Sequence, residues 1–267
     1  MEGMYRTAGA PAIGFRVEGR GTPVVLSHAL GVDMHMWDTI VADLARDHEV
    51  LRYDHRGHGA SGVPRGPYTL DAMVDDAVAV IDAWGRRSPV VFVGLSLGGM
   101  VAQGLALRHP ALLRGVVIAN SGARYPAPAR EVWAQRIATV EKDGVAAVVD
   151  ATMERWFTPV FRAERPEVVA RFRAAVLHTD PAGYLASCHA VAAVDWLDQL
   201  PQVKCPTLVI AGAQDVGAPP AMSQAIAERI PGATLKIFDE VAHMSAVEQP
   251  ERFVAVLRAF IAQRCGG

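Results

Sequence analysis

The stretch Val90-Val-Phe-Val-Gly94-Leu-Ser96-Leu-Gly98-Gly-Met100 joins a β-branched, aromatic run to an apolar run through a turn of small residues. The first part, Val90–Gly94, predicts a buried strand, and the second, Leu97–His109, predicts a buried helix. Glycines two residues before and after Ser96 relieve the crowding that a sharp turn creates. The stretch therefore predicts a strand, a tight turn that exposes the Ser96 hydroxyl, and a helix.

On both sides of this stretch, short β-rich runs alternate with runs of helical period, which is typical of a mostly parallel sheet with helices on both faces. Strands are predicted at Ala12–Glu18, Val24–Ser27, Glu49–Tyr53, Val90–Gly94, Gly115–Asn120, Thr207–Ala211 and Thr234–Phe238. Helices are predicted at Met34–Arg46, Leu70–Trp84, Leu97–His109, Pro219–Ile230 and Pro250–Gln263. The fold class that we predict is α/β.

The alternation stops between Asn120 and Val203, where the patterns are helical only and aromatic residues are frequent. We interpret this segment as an insertion after a sheet strand. The predicted organisation is a core formed by residues 1–121 and 203–267, with a helical cap, residues 122–202, as a substrate lid.

Composition excludes several classes of protein. With 267 residues and a net charge of −2, the chain has the size of one α/β domain with an insertion and no basic surface for nucleic acid. Its three cysteines, Cys188, Cys205 and Cys265, are scattered and predict neither a disulfide framework nor a zinc site. The uncharged segment Ser88–Leu107 is interrupted by glycines, and the N-terminus carries no apolar signal-like run. We therefore expect a cytoplasmic protein without membrane contact, metal or cofactor, and composition leaves the oligomeric state open.

A serine hydroxyl becomes a strong nucleophile only beside a base that is oriented by an acid. With a nucleophile on a strand-to-helix turn, the acid and then the base follow in chain order. Asp215 follows the predicted strand Thr207–Ala211, and His243 follows the last predicted strand. Both residues should lie at the sheet edge that carries Ser96. These three residues are the predicted catalytic triad.

Other interpretations remain open at this point. Ser96 could belong to a plain turn between core elements, and Asp215 could be an exposed residue that caps the helix after it. The competing acids are Asp195, Asp198 and Asp239.

The oxyanion of an acyl-transfer reaction needs two backbone N–H donors. Leu97, directly after the nucleophile, should provide one donor. Leu30, in the loop Ser27-His28-Ala29-Leu30-Gly31 after the second predicted strand, should provide the other. The pair His55-Arg-Gly-His58 has metal-ligand spacing but neither a helix nor a nearby glutamate, so we predict that it is structural.

Besides the Ser96 turn, the chain contains the motifs Arg52-Tyr-Asp-His-Arg-Gly-His-Gly-Ala-Ser61, Gly66-Pro-Tyr-Thr69, Trp156-Phe157, His178-Thr-Asp180 and Gly183-Tyr184. Together these motifs resemble those of the 3-oxoadipate enol-lactonases, a family of α/β-hydrolases. The resemblance covers nearly the whole chain. It implies the α/β-hydrolase fold, a triad at Ser96, Asp215 and His243, and hydrolysis of a small carboxylated enol-lactone to 3-oxoadipate in aromatic catabolism.

The chain departs from this family in two places near the expected site. His28-Ala29 stands where these lactonases tend to have Asn-Ser, and Ala218 stands where they tend to have Thr. Other substrates therefore stay open: a carboxylesterase, a perhydrolase or a carbon–carbon bond hydrolase would use the same triad. A non-catalytic ligand receptor could use the same fold.

The cap should contact the substrate. Trp133, Arg136 and Ile137 are spaced to share one face of a helix. We predict that Trp133 and Trp156 form walls of the pocket and that Arg136 or Arg124 binds the lactone's carboxylate. The alternative is that the tryptophans are the core of the cap and the arginines are solvated.

Overall fold

The computed structural model describes residues 3–86 and 88–265. An eight-stranded sheet with the order β1-β2-β4-β3-β5-β6-β7-β8 forms its centre. The strands are β1 (Met4–Arg6), β2 (Gly14–Gly19), β3 (Thr22–Ser27), β4 (His48–Tyr53), β5 (Val90–Leu95), β6 (Leu113–Ala119), β7 (Thr207–Gly212) and β8 (Thr234–Phe238). Strands β1 and β2 pair antiparallel with their neighbours, and the pairs from β4 to β8 are all parallel.

Eleven α-helices lie within the described residues. They are α1 (Asp38–Leu44), α2 (Leu70–Trp84), α3 (Leu97–Arg108), α4 (Ala127–Asp143), α5 (Ala146–Trp156), α6 (Pro159–Glu164), α7 (Pro166–His178), α8 (Pro181–Ala192), α9 (Pro220–Arg229), α10 (Ser245–Glu248) and α11 (Pro250–Arg264). Helix α1 packs with α11, and α2 packs with α3. Every residue of β4, β5 and β7 is buried, as expected for strands that helices cover on both faces.

The sequence patterns placed seven of the eight strands and missed β1, a three-residue edge strand too short to show a period. The predicted helix at Met34–Arg46 is wrong in its first turn. Residues Met34–Trp37 form a 3-10 helix, whose N-cap Asp33 accepts a hydrogen bond from the His35 N–H, and α1 begins only at Asp38. Strand β6 ends at Ala119, one residue earlier than predicted.

The turn at Ser96 has the strained backbone that its sequence predicts. Ser96 has φ 57° and ψ −113°, and its N–H donates to the carbonyl of Ala119 at 2.8 Å. A Cβ on Gly94 would lie 2.0 Å from the Gly98 carbonyl oxygen, and one on Gly98 would lie 2.1 Å from the Ser27 oxygen. Only glycine at both positions lets β3, β5 and α3 approach this closely.

Helices α4 to α8 lie between β6 and β7, inside the predicted cap, residues 122–202. The two ends of this segment meet, since Trp196 N–H donates to the Ala123 carbonyl at 2.8 Å. The division into core and cap stays a prediction. Within residues 3–86 and 88–265, no helix is long and apolar enough to span a bilayer.

Candidate active site

Three residues from separate strand ends lie at the carboxyl edge of the sheet. Ser96 follows β5, Asp215 follows β7, and His243 follows β8. His243 Nδ1 donates to Asp215 Oδ2 at 2.8 Å, and both residues are buried. Ser96 and His243 line the same cavity. The arrangement is suited to activating a serine hydroxyl, because a histidine oriented by a carboxylate can accept the hydroxyl proton.

The Asp215 carboxylate is held by four hydrogen bonds. Its Oδ1 accepts the N–H groups of Gly217 at 2.8 Å and Ala218 at 2.9 Å, and its Oδ2 accepts His243 and the Asn120 amide at 3.1 Å. Asp215 is only 3% exposed, so the alternative that it is an exposed residue capping the next helix is wrong.

The competing acids lie elsewhere. Asp195 and Asp198 bind Arg124 at the protein surface, and Asp239 is exposed. None of the three lines the cavity that contains Ser96.

Asn120 is a site residue that the sequence analysis missed. It leaves β6 with φ 47°, a left-handed backbone that asparagine tolerates better than most residues. Its amide nitrogen donates to Asp215 Oδ2 at 3.1 Å and to the Ala242 carbonyl at 3.0 Å, and its oxygen accepts the Ser245 hydroxyl at 2.5 Å. One buried amide therefore joins the acid to the loop that carries His243. An asparagine at the carboxyl end of a central strand was the available signal.

The loop after β3 contains the Leu30 N–H, the first candidate donor to the oxyanion. The Gly31 N–H donates to His58 Nε2 at 3.0 Å, whereas the Leu30 N–H has no acceptor among the described residues. His28 Nδ1 donates at 2.7 Å to the carbonyl of Ala29, which belongs to the same peptide unit as the Leu30 N–H. This bond orients the peptide and strengthens its N–H as a donor.

The second candidate donor, the Leu97 N–H, is also without an acceptor among the described residues. The Gly98 N–H donates to the His28 carbonyl at 3.1 Å, while the Leu97 N–H has no acceptor within residues 3–86 and 88–265. Leu97 follows Ser96 at the first turn of α3, where backbone N–H groups point outward and attract negative charge. Leu30 and Leu97 therefore offer two free donors next to the serine.

The histidines near this loop are structural. Burial lowers the pKa of His28 to about 4 and that of His58 to about 3, so both rings are neutral at pH 7. His55 is also fully buried, and its Nε2 lies 3.1 Å from the Ser27 hydroxyl. Across the described residues, no group of three metal-ligating side chains is arranged around one point. His28, at one position where the chain departs from the lactonase pattern, is buried and does not line the cavity that contains Ser96.

The cavity has a volume of about 150 Å³. Tyr125, Trp133 and Trp156 provide its aromatic walls, and Leu30 lies beside Ser96. The Tyr125 and Trp133 rings are 5.9 Å apart. Both tryptophans line the cavity that contains Ser96, and their contact with a substrate stays a prediction.

Two arginines line the same cavity. Arg136 donates to Thr152 Oγ1 at 2.7 Å and to the Tyr184 hydroxyl, and its guanidinium lies 5.7 Å from the Trp133 ring centre. Burial and the charge of Arg136 lower the pKa of Arg155. Among residues 3–86 and 88–265, no carboxylate lies within 4 Å of either guanidinium. Arg155 was missed, because its only signal was its place beside Trp156.

Arg124 lies outside the cavity. Its guanidinium binds Asp195 at 2.5 Å and Asp198 at 2.7 Å, at the point where the two ends of the cap segment meet. Both carboxylates already neutralise its charge. The structure therefore corrects the expectation that Arg124 could bind the lactone's carboxylate.

Comparison with known proteins agrees with this geometry. The sequence profile of the alpha/beta hydrolase fold matches residues 22–250, which include Ser96, Asp215 and His243. This chain belongs to the alpha/beta hydrolase fold family. The α/β-hydrolase fold predicted from the motifs is thereby confirmed, and the chain is a hydrolase of this family.

Individual relatives of this α/β hydrolase include two enol-lactonases. The 3-oxoadipate enol-lactonase 2 of Acinetobacter baylyi is 35% identical over 230 residues, which cover 86% of this chain and 85% of the relative. The crystal structure of the enol-lactonase from Burkholderia xenovorans LB400 superposes with a TM-score of 0.92 at 34% identity and covers 98% of this chain and 100% of its own. The resemblance to enol-lactonases is confirmed.

A third relative is named as a hydrolase of a different substrate. The putative carbamate hydrolase RutD of Azorhizobium caulinodans is 30% identical over 258 residues, covering 96% of this chain and 97% of the relative. Similarity therefore shows that the chain is an α/β hydrolase but does not distinguish a lactone from a carbamate as its substrate.

The buried histidines of this α/β hydrolase predict a loss of stability in acid. Because their folded pKa values lie below the unfolded value of 6.5, the unfolded chain binds more protons, and stability falls as the pH drops from 6.5 towards 4 for His28 and towards 3 for His58. Each contributes a slope of up to about 1.4 kcal/mol per pH unit. Urea unfolding at pH 7 and at pH 5 measures how far the free energy of unfolding falls between these two pH values. In His58→Gln this fall should be smaller than in the wild type by about 2 kcal/mol.

The comparison between variants isolates this effect. Asp54, whose pKa burial raises to about 6, acts in the opposite direction but is common to all variants. His178→Gln, at an exposed position, should show the same drop as the wild type. An unchanged drop in His58→Gln would contradict the prediction.

Proposed function

We propose that this α/β hydrolase opens a small enol-lactone that carries a free carboxylate, the 3-oxoadipate enol-lactone of aromatic catabolism. The observation that carries the proposal is the pair Arg136 and Arg155. These two half-buried guanidiniums have no carboxylate partner among the described residues, and they line the cavity that contains Ser96 and His243. A cavity with unneutralised cations favours an anionic ligand over a neutral one.

The first half of the reaction uses the three strand-end residues. His243, oriented by Asp215, accepts the Ser96 proton as the hydroxyl oxygen attacks the lactone carbonyl. The carbonyl oxygen becomes an oxyanion and binds the free N–H groups of Leu30 and Leu97. The C–O bond of the ring then breaks, and the leaving enolate oxygen takes the proton from His243.

The second half releases the product. The opened chain stays attached to Ser96 as an acyl group, with the enol within the chain and the free carboxylate at its far end. His243 takes a proton from water as the water oxygen attacks the acyl carbon. The ester bond to Ser96 then breaks, and the Ser96 oxygen takes this proton from His243. The enol becomes a ketone by tautomerisation, and this step makes the overall reaction hard to reverse.

The arginines orient the substrate. Thr152 and Tyr184 hold the Arg136 guanidinium against the Trp133 ring, so it loses little side-chain freedom when it binds a carboxylate. The aromatic walls pack against the flat ring, and the volume of about 150 Å³ favours a single-ring substrate over a long acyl chain. The names of the two enol-lactonases support the same substrate.

The alternative that the comparisons favour is a carbamate, since RutD is similar over almost the whole chain. A carboxylesterase or perhydrolase for small neutral esters would use the same triad. A neutral ester does not account for the two arginines, and a carbamate ion is charged but has no apolar ring to pack against the aromatic walls. Kinetics on the enol-lactone, a carbamate and a neutral aryl ester separate these candidates.

Substitution of the triad should abolish hydrolysis without unfolding the protein. Ser96→Ala should lower kcat by about 10⁶-fold, and Asp215→Asn, which favours the wrong histidine tautomer, by about 10⁴-fold. Steady-state rates on an aryl ester measure both changes, with Asp239→Asn as the exposed control. A damaging Asp239→Asn beside an active Asp215→Asn would show that the acid is misassigned.

Removing a cavity arginine should select against the carboxylated substrate. Arg136→Met and Arg155→Met keep an apolar stem and lose a charge-assisted hydrogen bond of about 1.5–3 kcal/mol. The value of kcat/KM for the enol-lactone should fall by about 10–100-fold, and that for a neutral aryl ester should change by less than about threefold. The control Arg124→Met should leave both values unchanged. Equal losses on the two substrates would contradict carboxylate binding by these arginines.

A further inference from the structure

Four hydrogen bonds join the end of helix α5 to the loop that carries His243. The carbonyl of Trp156 accepts the N–H groups of His243 and Met244, each at 3.1 Å. The other two bonds end on one side chain. Glu248 Oε2 accepts the Ala242 N–H at 2.6 Å, and Glu248 Oε1 accepts the Thr158 N–H at 2.8 Å.

Glu248 has no role in the reaction steps above. It lies on α10, five residues after His243, and does not line the cavity that contains Ser96. Burial raises the pKa of its carboxyl group, and the hydrogen bonds from the Thr158 and Ala242 N–H groups lower it again. Hydrogen bonds from N–H groups to a carboxylate are stronger than those between neutral groups.

The residues that Glu248 joins have different tasks. On one side, Ala242 precedes His243, and its carbonyl is already bound by the Asn120 amide at 3.0 Å. On the other side, Thr158 is the N-cap of α6 and follows two residues after Trp156, whose side chain lines the cavity. The backbone of His243 is therefore held both from the sheet and from a segment that lines the substrate cavity.

We propose that Glu248 is a positioning residue that clamps the His243 loop to the segment Trp156–Thr158. The clamp fixes the position of the His243 imidazole relative to the Trp156 side chain. A substrate that packs against Trp156 is then correctly placed relative to the base. The proposal rests on the role of His243 as the base and does not depend on which ester or lactone is the substrate. Since Glu248 does not reach the substrate, its loss should act on kcat and not on KM.

The first test is Glu248→Gln. The glutamine amide keeps one acceptor oxygen and turns its NH₂ group, a donor, towards the second backbone N–H. A displacement of the base by about 1 Å can cost about 100-fold in rate. On a neutral aryl ester, kcat should fall by roughly 10–100-fold with KM nearly unchanged, and fluorophosphonate labelling of Ser96 should slow in parallel. Glu240→Gln, at an exposed carboxylate of the same loop region, is the matched control and should behave as the wild type.

The second test removes only the N–H on the Thr158 side. Thr158 has φ −60°, which proline adopts, and Phe157 before it is extended, as proline requires. Thr158→Pro deletes the N–H that Glu248 accepts, whereas Thr158→Ala keeps it and loses the same hydroxyl. Thr158→Pro should show a kcat several-fold below that of Thr158→Ala, again with KM unchanged.

The outcomes separate positioning from mere stabilisation. A Glu248→Gln enzyme whose kcat and labelling rate stay within about twofold of Glu240→Gln, even with a lower Tm, would overturn the proposal. If Glu248→Gln fails to fold, equal kcat values for Thr158→Pro and Thr158→Ala would overturn it. Failure of the lactone proposal would appear separately, as a wild type that hydrolyses the aryl ester and not the enol-lactone.

Discussion

The close backbone approach around Ser96 is the constraint on which the rest of the site depends. Strand β5 must turn into α3 within one residue, and α3 must start against the end of β3. Glycines at 94 and 98 make this possible, because any side chain there would overlap a carbonyl oxygen. The same approach places the Leu97 N–H beside the β3 loop that carries Leu30. The position of the proposed nucleophile and of both free N–H donors therefore follows from one turn.

The proposed acid and base, Asp215 and His243, are held in a similar way, by hydrogen bonds between polar groups at neighbouring strand ends. Asp215 accepts four hydrogen bonds, and Asn120 joins it to the loop of His243. Glu248 and the Trp156 carbonyl hold this loop from the other side. The imidazole thus has its direction set by Asp215 and its backbone fixed from both the sheet and the cavity wall, which is the preorganisation that a proton-transferring base needs.

The sequence predicted those parts of the site that depend on local pattern. The Ser96 turn has glycines at fixed offsets, and Asp215 and His243 follow apolar strands, so all three could be placed from the chain alone. Residues that act through long-range contacts could not be placed in this way. Asn120 meets Asp215 across 95 residues, and whether an arginine of the cap segment faces the cavity depends on how its helices pack. Arg124 has the same side chain as Arg136, but two aspartates 71 and 74 residues away neutralise it.

The central claim is that a serine hydrolase site at Ser96 selects a carboxylated lactone through unpartnered arginines. The most direct measurement compares kcat/KM of the wild type for ring opening of the free-acid enol-lactone and of its methyl ester, which removes the charge of the distant group and adds one methyl group. The account predicts that the free acid is preferred by about tenfold or more, the value of one charge-assisted hydrogen bond. Equal rates, or a preference for the methyl ester, would contradict it.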